Sequence, residues 1–527
     1  MRKLYQISLT IILIGVAAGV ASAQSFRVQC PPSTITHPSA NNNSEPSYVG
    51  PTYTGTSGFP AAPAHVNGAI KCQQISGGDG YATMADGTQT YLFSFGPLSG
   101  LAKIANGQPG TDFPNEFNTI YAGPMLQPGD PATTVNAAGT FTFNGAVGQV
   151  PDLDNGGAIN GHVDPRQMMD VGVMNGNIPA PLMAIDEDDE YFLTLSNVGM
   201  IMRPDLFEQH TVHFHGYPNA SAFYDGVPDA SVAINIGASF TYYYLAPDAG
   251  TYFWHCHITP PEHLQMGMVG QLYVRPRQDR VTGDLFTALN SQQLDLRTKC
   301  DSNTDILCSN PLPAINTAAA GAATVLNGGT SGYAYNDGDG STYYDVEYPI
   351  QIHGFDPNFH FVGMTFNPEG FADMKDKYFL LNGRSYPDTV TAGSLQTQSA
   401  DGVNHFSQPL SAIINIPAGK KALLRISDLD VSEYQTLASL GIPMHVVGYN
   451  AKLLRDQAGN NLYYNTNSIT LAGGESLDVI LDATGSTAGS VFYLYTPNLD
   501  HLSNDAENFG GLMTEVCIGT LVNGSCN

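Results

Sequence analysis

The stretches His210-Thr-Val-His-Phe-His215 and Trp254-His-Cys-His257 concentrate metal-ligand side chains in two short segments, and His263 and Met268 follow the second one. Together these residues supply one thiolate, several imidazoles and a thioether. These are the ligands of a blue-copper centre with further imidazoles beside it. On a β-strand, side chains at every second position share one face. The two stretches therefore predict β-strands that carry metal ligands.

The parity of the residue numbers divides these ligands into two sets. His213 and His215 share one face of their strand, as His255 and His257 do on theirs, so Cys256 can point the other way. One expected pocket has three strong ligands and a weak axial sulfur, which suits copper that changes oxidation state: His210, Cys256, His263 and Met268. The other expected pocket contains only imidazoles: His213, His215, His255 and His257.

The linkage between the two pockets is covalent. Cys256 lies directly between His255 and His257 in the chain. An electron that arrives at the first pocket therefore has a short through-bond route into the second. A lone histidine is most often a structural residue, but composition alone rarely produces both motifs in a chain with 14 His. Zinc is the competing metal, yet structural zinc sites favour paired cysteines, whereas a single thiolate with a methionine favours copper.

The surrounding sequence resembles the multicopper oxidases, the group that includes the laccases. The resemblance is carried by 173–181, 222–228, 242–244 and Ala249-Gly-Thr-Tyr-Phe-Trp-His-Cys-His-Ile258. It extends from about residue 86 to the C-terminus, with specific motifs only between 170 and 270. It implies that His210, Cys256, His263 and Met268 bind type 1 copper, that His213 is a type 2 ligand, and that the type 3 ligands are His215, His255 and His257.

Two features depart from the laccase pattern. The residues Thr259-Pro-Pro-Glu262 lengthen the loop between Cys256 and His263, which resembles the loops of copper nitrite reductases. A complete trinuclear cluster takes two His-x-His pairs from each of two cupredoxin domains, and this chain has one such set. The other histidines form no such pair: His37, His65, His162, His353, His360, His405, His445 and His501. We therefore expect half a cluster, completed in a homo-oligomer or by another protein.

The resemblance implies a copper-dependent oxidoreductase. Type 1 copper would accept single electrons from a small-molecule or metal-ion donor and pass them to the histidine site, with dioxygen as the acceptor. The electron donor stays open among phenols, Mn(II), Fe(II), Cu(I) and a protein partner. Two alternatives also stay open: an enzyme like copper nitrite reductase, and a non-enzymatic cupredoxin that carries electrons or handles copper.

Composition and the N-terminus predict an exported protein. Arg2 and Lys3 precede an apolar run that ends at Ala21-Ser-Ala23, the pattern of a signal peptide cleaved before Gln24. Its removal would change the net charge from -27 to -29, a surface that repels nucleic acid. We expect a periplasmic or extracellular protein with no membrane span after signal cleavage.

The cysteine count agrees with a single copper thiolate. Six of the seven cysteines remain once Cys256 is assigned to the metal, and six allow 15 connectivities. In an oxidising compartment, short separations favour three bridges: Cys30–Cys72, Cys300–Cys308 and Cys517–Cys526.

The whole chain is predicted to be all-β, with two cupredoxin-like Greek-key β-sandwich domains and a loop-rich N-terminal extension. Low charge, at 13%, and abundant Gly and Pro agree with many turns between strands. The expected segments are a signal peptide at 1–23, a loop-rich segment at 24–85, a copper-binding domain at 86–285 with an insertion at about 103–165, a connector at 286–343, and a second sandwich at 344–527 without a complete copper site.

Within these segments, several shorter features are predicted. The acidic run Asp186-Glu-Asp-Asp-Glu190 is expected to be a turn between two strands. In the second domain His445 is either a structural residue or a ligand donated to a neighbouring subunit. The expected strands of that domain are 346–353, 378–384, 412–416, 422–426, 444–448 and 476–481.

Overall fold

A computed structural model of the chain describes residues 29–34, 37, 68–100, 103–104, 106–118, 174–200, 202–217, 221–246, 248–280, 285–292, 311–314, 332–363, 370–398, 404–522 and 524–527. The predicted signal peptide, the Cys300–Cys308 bridge and most of the insertion and connector lie outside these residues. None of the helices within the described ranges is long and apolar enough to cross a membrane.

Among the described residues, the first domain has eight strands in two four-stranded sheets. The strands are β1 (Ile70–Thr83), β2 (Gln89–Pro97), β3 (Met183–Asp186), β4 (Glu190–Gly199), β5 (His213–Phe214), β6 (Ser239–Leu245), β7 (Gly250–His255) and β8 (Val269–Arg275). One sheet has the order β2-β1-β4-β6 and the other β3-β8-β7-β5. The chain crosses repeatedly between the sheets, as in a Greek-key sandwich. Aromatic and aliphatic side chains from both sheets form one core, which includes Phe95, Leu193, Tyr242 and Trp254.

Strand β1 corrects the predicted loop-rich segment at 24–85. Glycines in the sequence favour turns, but these glycines lie in a central strand. Glycine is required there because neighbouring groups leave no room for a side chain. A Cβ atom at Gly80 would lie 2.1 Å from the carbonyl oxygen of Gly176, and one at Gly78 would lie 2.7 Å from Val198. The first sandwich therefore begins before residue 86.

The second domain and the segment before it contain the remaining strands. These are β9 (Gly332–Tyr333), β10 (Tyr343–Tyr344), β11 (Val346–Phe355), β12 (Tyr378–Leu381), β13 (Leu395–Gln398), β14 (Asn404–Ser407), β15 (Ile414–Ile416), β16 (Lys421–Asp428), β17 (Gln435–Leu440), β18 (Met444–Tyr449), β19 (Lys452–Leu453), β20 (Tyr464–Thr466), β21 (Ser468–Leu471), β22 (Ser476–Asp482), β23 (Val491–Tyr495), β24 (Met513–Ile518), β25 (Leu521–Val522) and β26 (Ser525–Cys526).

Two larger sheets form the second sandwich. One has the order β12-β11-β16-β22-β18-β19, with β20 also paired to β18, and the other has the order β15-β24-β23-β17-β21. The six strands predicted for this domain are confirmed as β11, β12, β15, β16, β18 and β22. Strand β9 falls inside the predicted connector and β10 spans its end, and Tyr333 and Tyr344 of these strands are buried. The prediction of an all-β chain with two sandwich domains is confirmed.

Helices are few and short in the part of the chain that the structure describes. The α-helices are α1 (Pro114–Phe117), α2 (Pro260–Gln265), α3 (Leu285–Gln292) and α4 (Pro357–Gly363), and the 3-10 helices are Ala222–Tyr224, Arg277–Arg280, Phe371–Asp373 and Asp388–Val390. Helix α2 lies between β7 and β8, inside the stretch that carries Cys256 and Met268.

Disulfides and the acidic turn agree with the sequence predictions. The Cys30–Cys72 and Cys517–Cys526 bridges are both present, and Cys256 is a buried free thiol. Residues 187–189 form the predicted turn between β3 and β4. This turn is buried. Its Asp188 carboxylate is compensated there by the Arg277 guanidinium, which donates two hydrogen bonds to it at 3.0 and 2.7 Å.

The two domains pack through apolar and charged contacts. Phe253 and Val269 of the first domain share a cluster with Leu429 of the second. Beside them Glu347 accepts hydrogen bonds from Arg275 at 2.6 Å and from Arg425 at 3.0 Å, which joins the end of β8 to β11 and β16. Burial alone would raise the pKa of Glu347, but the two guanidinium groups lower it to about 2. The carboxylate therefore stays charged inside the interface.

We predict that Glu347→Gln destabilises the fold by roughly 3–5 kcal/mol at pH 7, because two buried guanidinium groups lose their anion. A depressed folded-state pKa contributes stability that is present above the ordinary value of 4.5 and is lost as the pH falls towards 2. Urea unfolding should therefore show the gap between wild type and variant shrinking by about 2 kcal/mol from pH 7 to pH 3.

The control for this experiment is Asp482→Asn, which removes a half-exposed ion pair with Lys421 and should cost less than about 1 kcal/mol. An equal loss in both variants would contradict a special role for Glu347.

Candidate metal centre

The pairing of β5 with β7 brings the two histidine motifs together. His213 is the register partner of His255, and Phe214 is the partner of Trp254. The next residue, Cys256, continues from β7 and lies at the opposite side of the backbone from His255. Strand pairing thus places both motifs at one end of the β3-β8-β7-β5 sheet.

Three fully buried side chains form the first ligand cluster. The ligand atoms of His210, Cys256 and His263 lie within 4.8 Å of one another. Nδ1 of His263 is 3.3 Å from Sγ of Cys256. Both ring nitrogens of His210 are buried without a hydrogen-bond partner among the described residues. Because buried polar groups are normally paired, an imidazole with both nitrogens unpaired beside a thiol fits a metal ligand.

Met268 lies beside β1, close to the His210 ring of this cluster. Its carbonyl oxygen accepts a hydrogen bond from the Cys256 amide at 3.1 Å, and its side chain is fully buried. A Cβ atom at Gly77 would lie 2.6 Å from the His210 ring and 3.3 Å from the Met268 methyl carbon. The absence of a side chain at Gly77 therefore allows His210 and Met268 to pack against the same point of β1.

Hydrogen bonds and charged groups surround the Cys256 sulfur and the two imidazoles. The Thr211 amide donates to Sγ of Cys256 at 3.4 Å. Burial and then the charge of His263 hold the pKa of His210 well below its ordinary value, so this imidazole is neutral. Burial alone would lower the pKa of His263, but Cys256 and Glu208 raise it to about 9. A metal that binds here displaces that proton.

The second cluster contains four imidazoles. Ligand nitrogens of His213, His215 and His255 lie within 4.8 Å of one another, and the Nε2 atoms of His215 and His255 are 3.0 Å apart. The His257 ring lies 5.1 Å from that of His213 and 5.5 Å from that of His255. All four histidines predicted for the imidazole pocket therefore lie together.

Backbone carbonyl groups fix the orientation of these rings. Nδ1 of His213 lies 2.6 Å from the Asp225 carbonyl oxygen, and Nδ1 of His255 lies 2.7 Å from that of Cys256. When Nδ1–H donates to a carbonyl, the lone pair on Nε2 is free for a metal. Burial and the charges of His213 and His257 lower the pKa of His215 to about 4, which keeps it neutral.

A cavity of about 460 Å³ opens beside this imidazole cluster. His215 and His255 line one side, and Asp430, Glu433 and Tyr434 of the second domain line the other. Gly474 approaches so closely that a Cβ atom there would lie 2.7 Å from Nδ1 of His215. The second domain thus forms one wall of the imidazole site.

The other described histidines lie apart from the two clusters. His445 is partly exposed, and its Nδ1 lies 2.9 Å from Oδ1 of Asn465. His501 bonds Gln435 and Glu433, and His37 bonds Glu190. Sequence reasoning missed Gly77 and Gly474, whose only signal was a glycine in strand-like or turn-like surroundings.

The same part of the chain matches known proteins. Residues 159–279 match the family model described as multicopper oxidase. This stretch is similar to a multicopper oxidase domain. The matched stretch contains both ligand clusters, and copper is the metal that the matching family uses.

The similarity to individual relatives extends over only part of this chain and part of each relative. The chain is 30% identical over 126 residues to laccase abr2 of Aspergillus fumigatus, and 36% identical over 121 residues to laccase-1 of Emericella nidulans. A copper-containing nitrite reductase of Rhizobium meliloti is 33% identical over 114 residues. The matches cover 24%, 22% and 21% of this chain and 20%, 17% and 27% of the relatives, respectively.

Among solved structures, the blue copper oxidase of Nitrosomonas europaea aligns over 85% of each chain with a TM-score of 0.47 and 17% identity. The copper nitrite reductase of the same organism aligns over 86% of this chain and 96% of its own, with a TM-score of 0.42 and 11% identity.

The first cluster makes a spectroscopic prediction. A thiolate bound to Cu(II) in a trigonal field gives an intense visible band, so the copper-loaded protein should be blue. Cys256→Ser should abolish the band. Met268→Leu should keep it and raise the reduction potential, because loss of the axial donor disfavours Cu(II). A colourless copper-loaded wild type would contradict the assignment.

Gly77→Ala tests the packing behind these ligands. The new methyl group should displace His210 or Met268, cost roughly 1–3 kcal/mol and change the visible spectrum of the copper-loaded protein. Gly78→Ala is the matched control, because its methyl group would meet Val198 on the other face of the same strand. It should cost similar stability and leave the spectrum unchanged. Identical spectra for both variants would show that Gly77 does not support the ligands.

Proposed function

We propose that the chain is a copper-dependent oxidoreductase in which His210, Cys256, His263 and Met268 bind type 1 copper. A second copper site, of type 2 and type 3 character, would use His213, His215, His255 and His257. Copper would supply one-electron redox chemistry at both places. The observation that carries this proposal is the direct connection between the clusters, since Cys256 is bonded to His255 and His257 in the chain.

A hydrogen bond shortens the route between the two sites. Nδ1 of His255 lies 2.7 Å from the carbonyl oxygen of Cys256, so the path from thiolate to imidazole runs through one residue and one contact. The chain thus holds the electron-accepting and electron-delivering groups at fixed separation. A small-molecule or metal-ion donor would supply electrons at the first site.

The charge of the cavity favours dioxygen as the acceptor. Asp430 and Glu433 line it, and the described residues of its lining include no lysine or arginine. Carboxylates repel an anion such as nitrite but not neutral dioxygen.

Nitrite reduction is the second candidate function. The lengthened loop at Thr259-Pro-Pro-Glu262 and the similarity to copper-containing nitrite reductases favour it. A non-enzymatic electron carrier is the third candidate, if only the first site binds copper. The acidic cavity argues for dioxygen over nitrite.

An oligomer would complete the imidazole site. The described residues bring four imidazoles to one domain, and this chain has no second His-x-His set. Homo-oligomers are mostly closed and cyclic, so a neighbouring copy can supply the missing surface. Export to an oxidising compartment agrees with the Cys30–Cys72 and Cys517–Cys526 bridges.

His213→Ala tests whether the imidazole cluster reduces oxygen while the first cluster gives the blue band. It should abolish oxygen consumption with an artificial electron donor while the blue band remains, because His213 belongs to the imidazole cluster alone. His445→Ala should leave both properties unchanged, whereas loss of activity would make His445 a ligand donated to a neighbour. Nitrite should be tried as acceptor in parallel.

Sedimentation and a copper count per chain complete the test. A monomer with one copper that still reduces oxygen to water contradicts the assembly proposal. A blue protein that consumes neither oxygen nor nitrite is an electron carrier.

A further inference from the structure

The second domain holds the loop that carries two of the proposed type 1 ligands. Helix α2 lies between Cys256 and Met268 and includes His263. Its last two residues, Leu264 and Gln265, are buried against the second domain. Their contacts lie behind the ligands rather than at the metal.

Gln265 directs all of its side-chain polar atoms into the second domain. Its Nε2 donates to Oδ1 of Asp376 at 2.9 Å, and its Oε1 accepts from the Asp356 amide at 2.9 Å. Gln265 is fully buried. A buried amide with both ends satisfied is rigid, and loss of either partner leaves a costly unpaired group.

Two buried histidines of the second domain reach the same turn of backbone. Nε2 of His353 lies 3.0 Å from the Leu264 carbonyl oxygen, and Nε2 of His360 lies 2.9 Å from that of Gln265. Nδ1 of His360 lies 2.7 Å from the Tyr91 carbonyl oxygen on β2. Burial lowers the pKa of His360 to about 3, so this neutral ring has one N–H and donates to only one of its two carbonyl neighbours. The two histidines, which form no metal cluster in the described residues, both lie against the end of α2.

The second domain holds the end of α2 in place, and this limits the movement of His263 and Met268. The His263 carbonyl oxygen accepts from the Met268 amide at 2.8 Å, so the two ligands lie at the ends of one tight loop. Cu(II) prefers tetragonal geometry, whereas a trigonal site with a long axial sulfur serves electron transfer. A loop that cannot shift resists relaxation towards the tetragonal form.

We propose that Gln265, with Asp376 and His360 of the second domain, forms a clamp that sets the reduction potential of the type 1 copper by fixing His263 and Met268. These are positioning residues, because none of them belongs to the ligand set. The inference rests on the proposed type 1 site.

The test compares two buried glutamines of the first domain that both bond the second domain. Gln271 on β8 donates to the Arg425 carbonyl oxygen at 2.9 Å and to Ser427 at 2.8 Å, but it lies outside the ligand loop. In copper-loaded protein, Gln265→Leu should lower the potential by about 59 mV, a tenfold shift towards Cu(II). It should also change the visible spectrum. Gln271→Leu should lower thermal stability comparably and leave potential and spectrum unchanged.

A second pair of variants tests the clamp independently, in case Gln265→Leu does not fold. Asp376→Asn keeps a carbonyl oxygen for Gln265 and should retain the wild-type potential, whereas Asp376→Leu should shift it as Gln265→Leu does. A blue wild type whose potential is the same in Gln265→Leu and Asp376→Leu overturns the clamp. A wild type that binds copper without a blue band overturns the type 1 assignment, and the clamp with it.

Discussion

The register of one short strand pair determines the chemistry of this protein. His213 lies opposite His255, and this fixes which residues of the neighbouring stretches point to the imidazole cluster and which point to the thiolate cluster. A slip of one residue would exchange the two faces. The hydrophobic core prevents such a slip, because Phe214 and Trp254, the next partners in register, are both buried in it.

The clusters could be predicted from the sequence because their ligands are close in the chain and strand geometry is regular. Parity placed Cys256 apart from His255 without knowledge of any tertiary contact. Strand β1 could not be predicted in this way. Its glycines resemble turn residues locally, and the neighbours that exclude a side chain, such as Gly176 and His210, lie far along the chain.

The contacts between the second domain and the ligand loop also escaped sequence reasoning, for the same physical reason. His353 and His360 have no ligand neighbours in sequence, so they were indistinguishable from ordinary core histidines. Their partners, Leu264 and Gln265, belong to another domain. The importance of a hydrogen bond across an interface depends on what its acceptor is attached to, and only tertiary structure reveals that.

The same interface also connects the two clusters mechanically. The Asp376 carboxylate accepts a hydrogen bond from Gln265 on the ligand loop and another from Ser432, which lines the cavity beside His215 and His255. Any opening between the domains would therefore disturb both clusters at once. If copper binds as proposed, the colour of the protein becomes an internal reporter of domain separation, and bleaching should precede the loss of β-sheet signal during gradual denaturation.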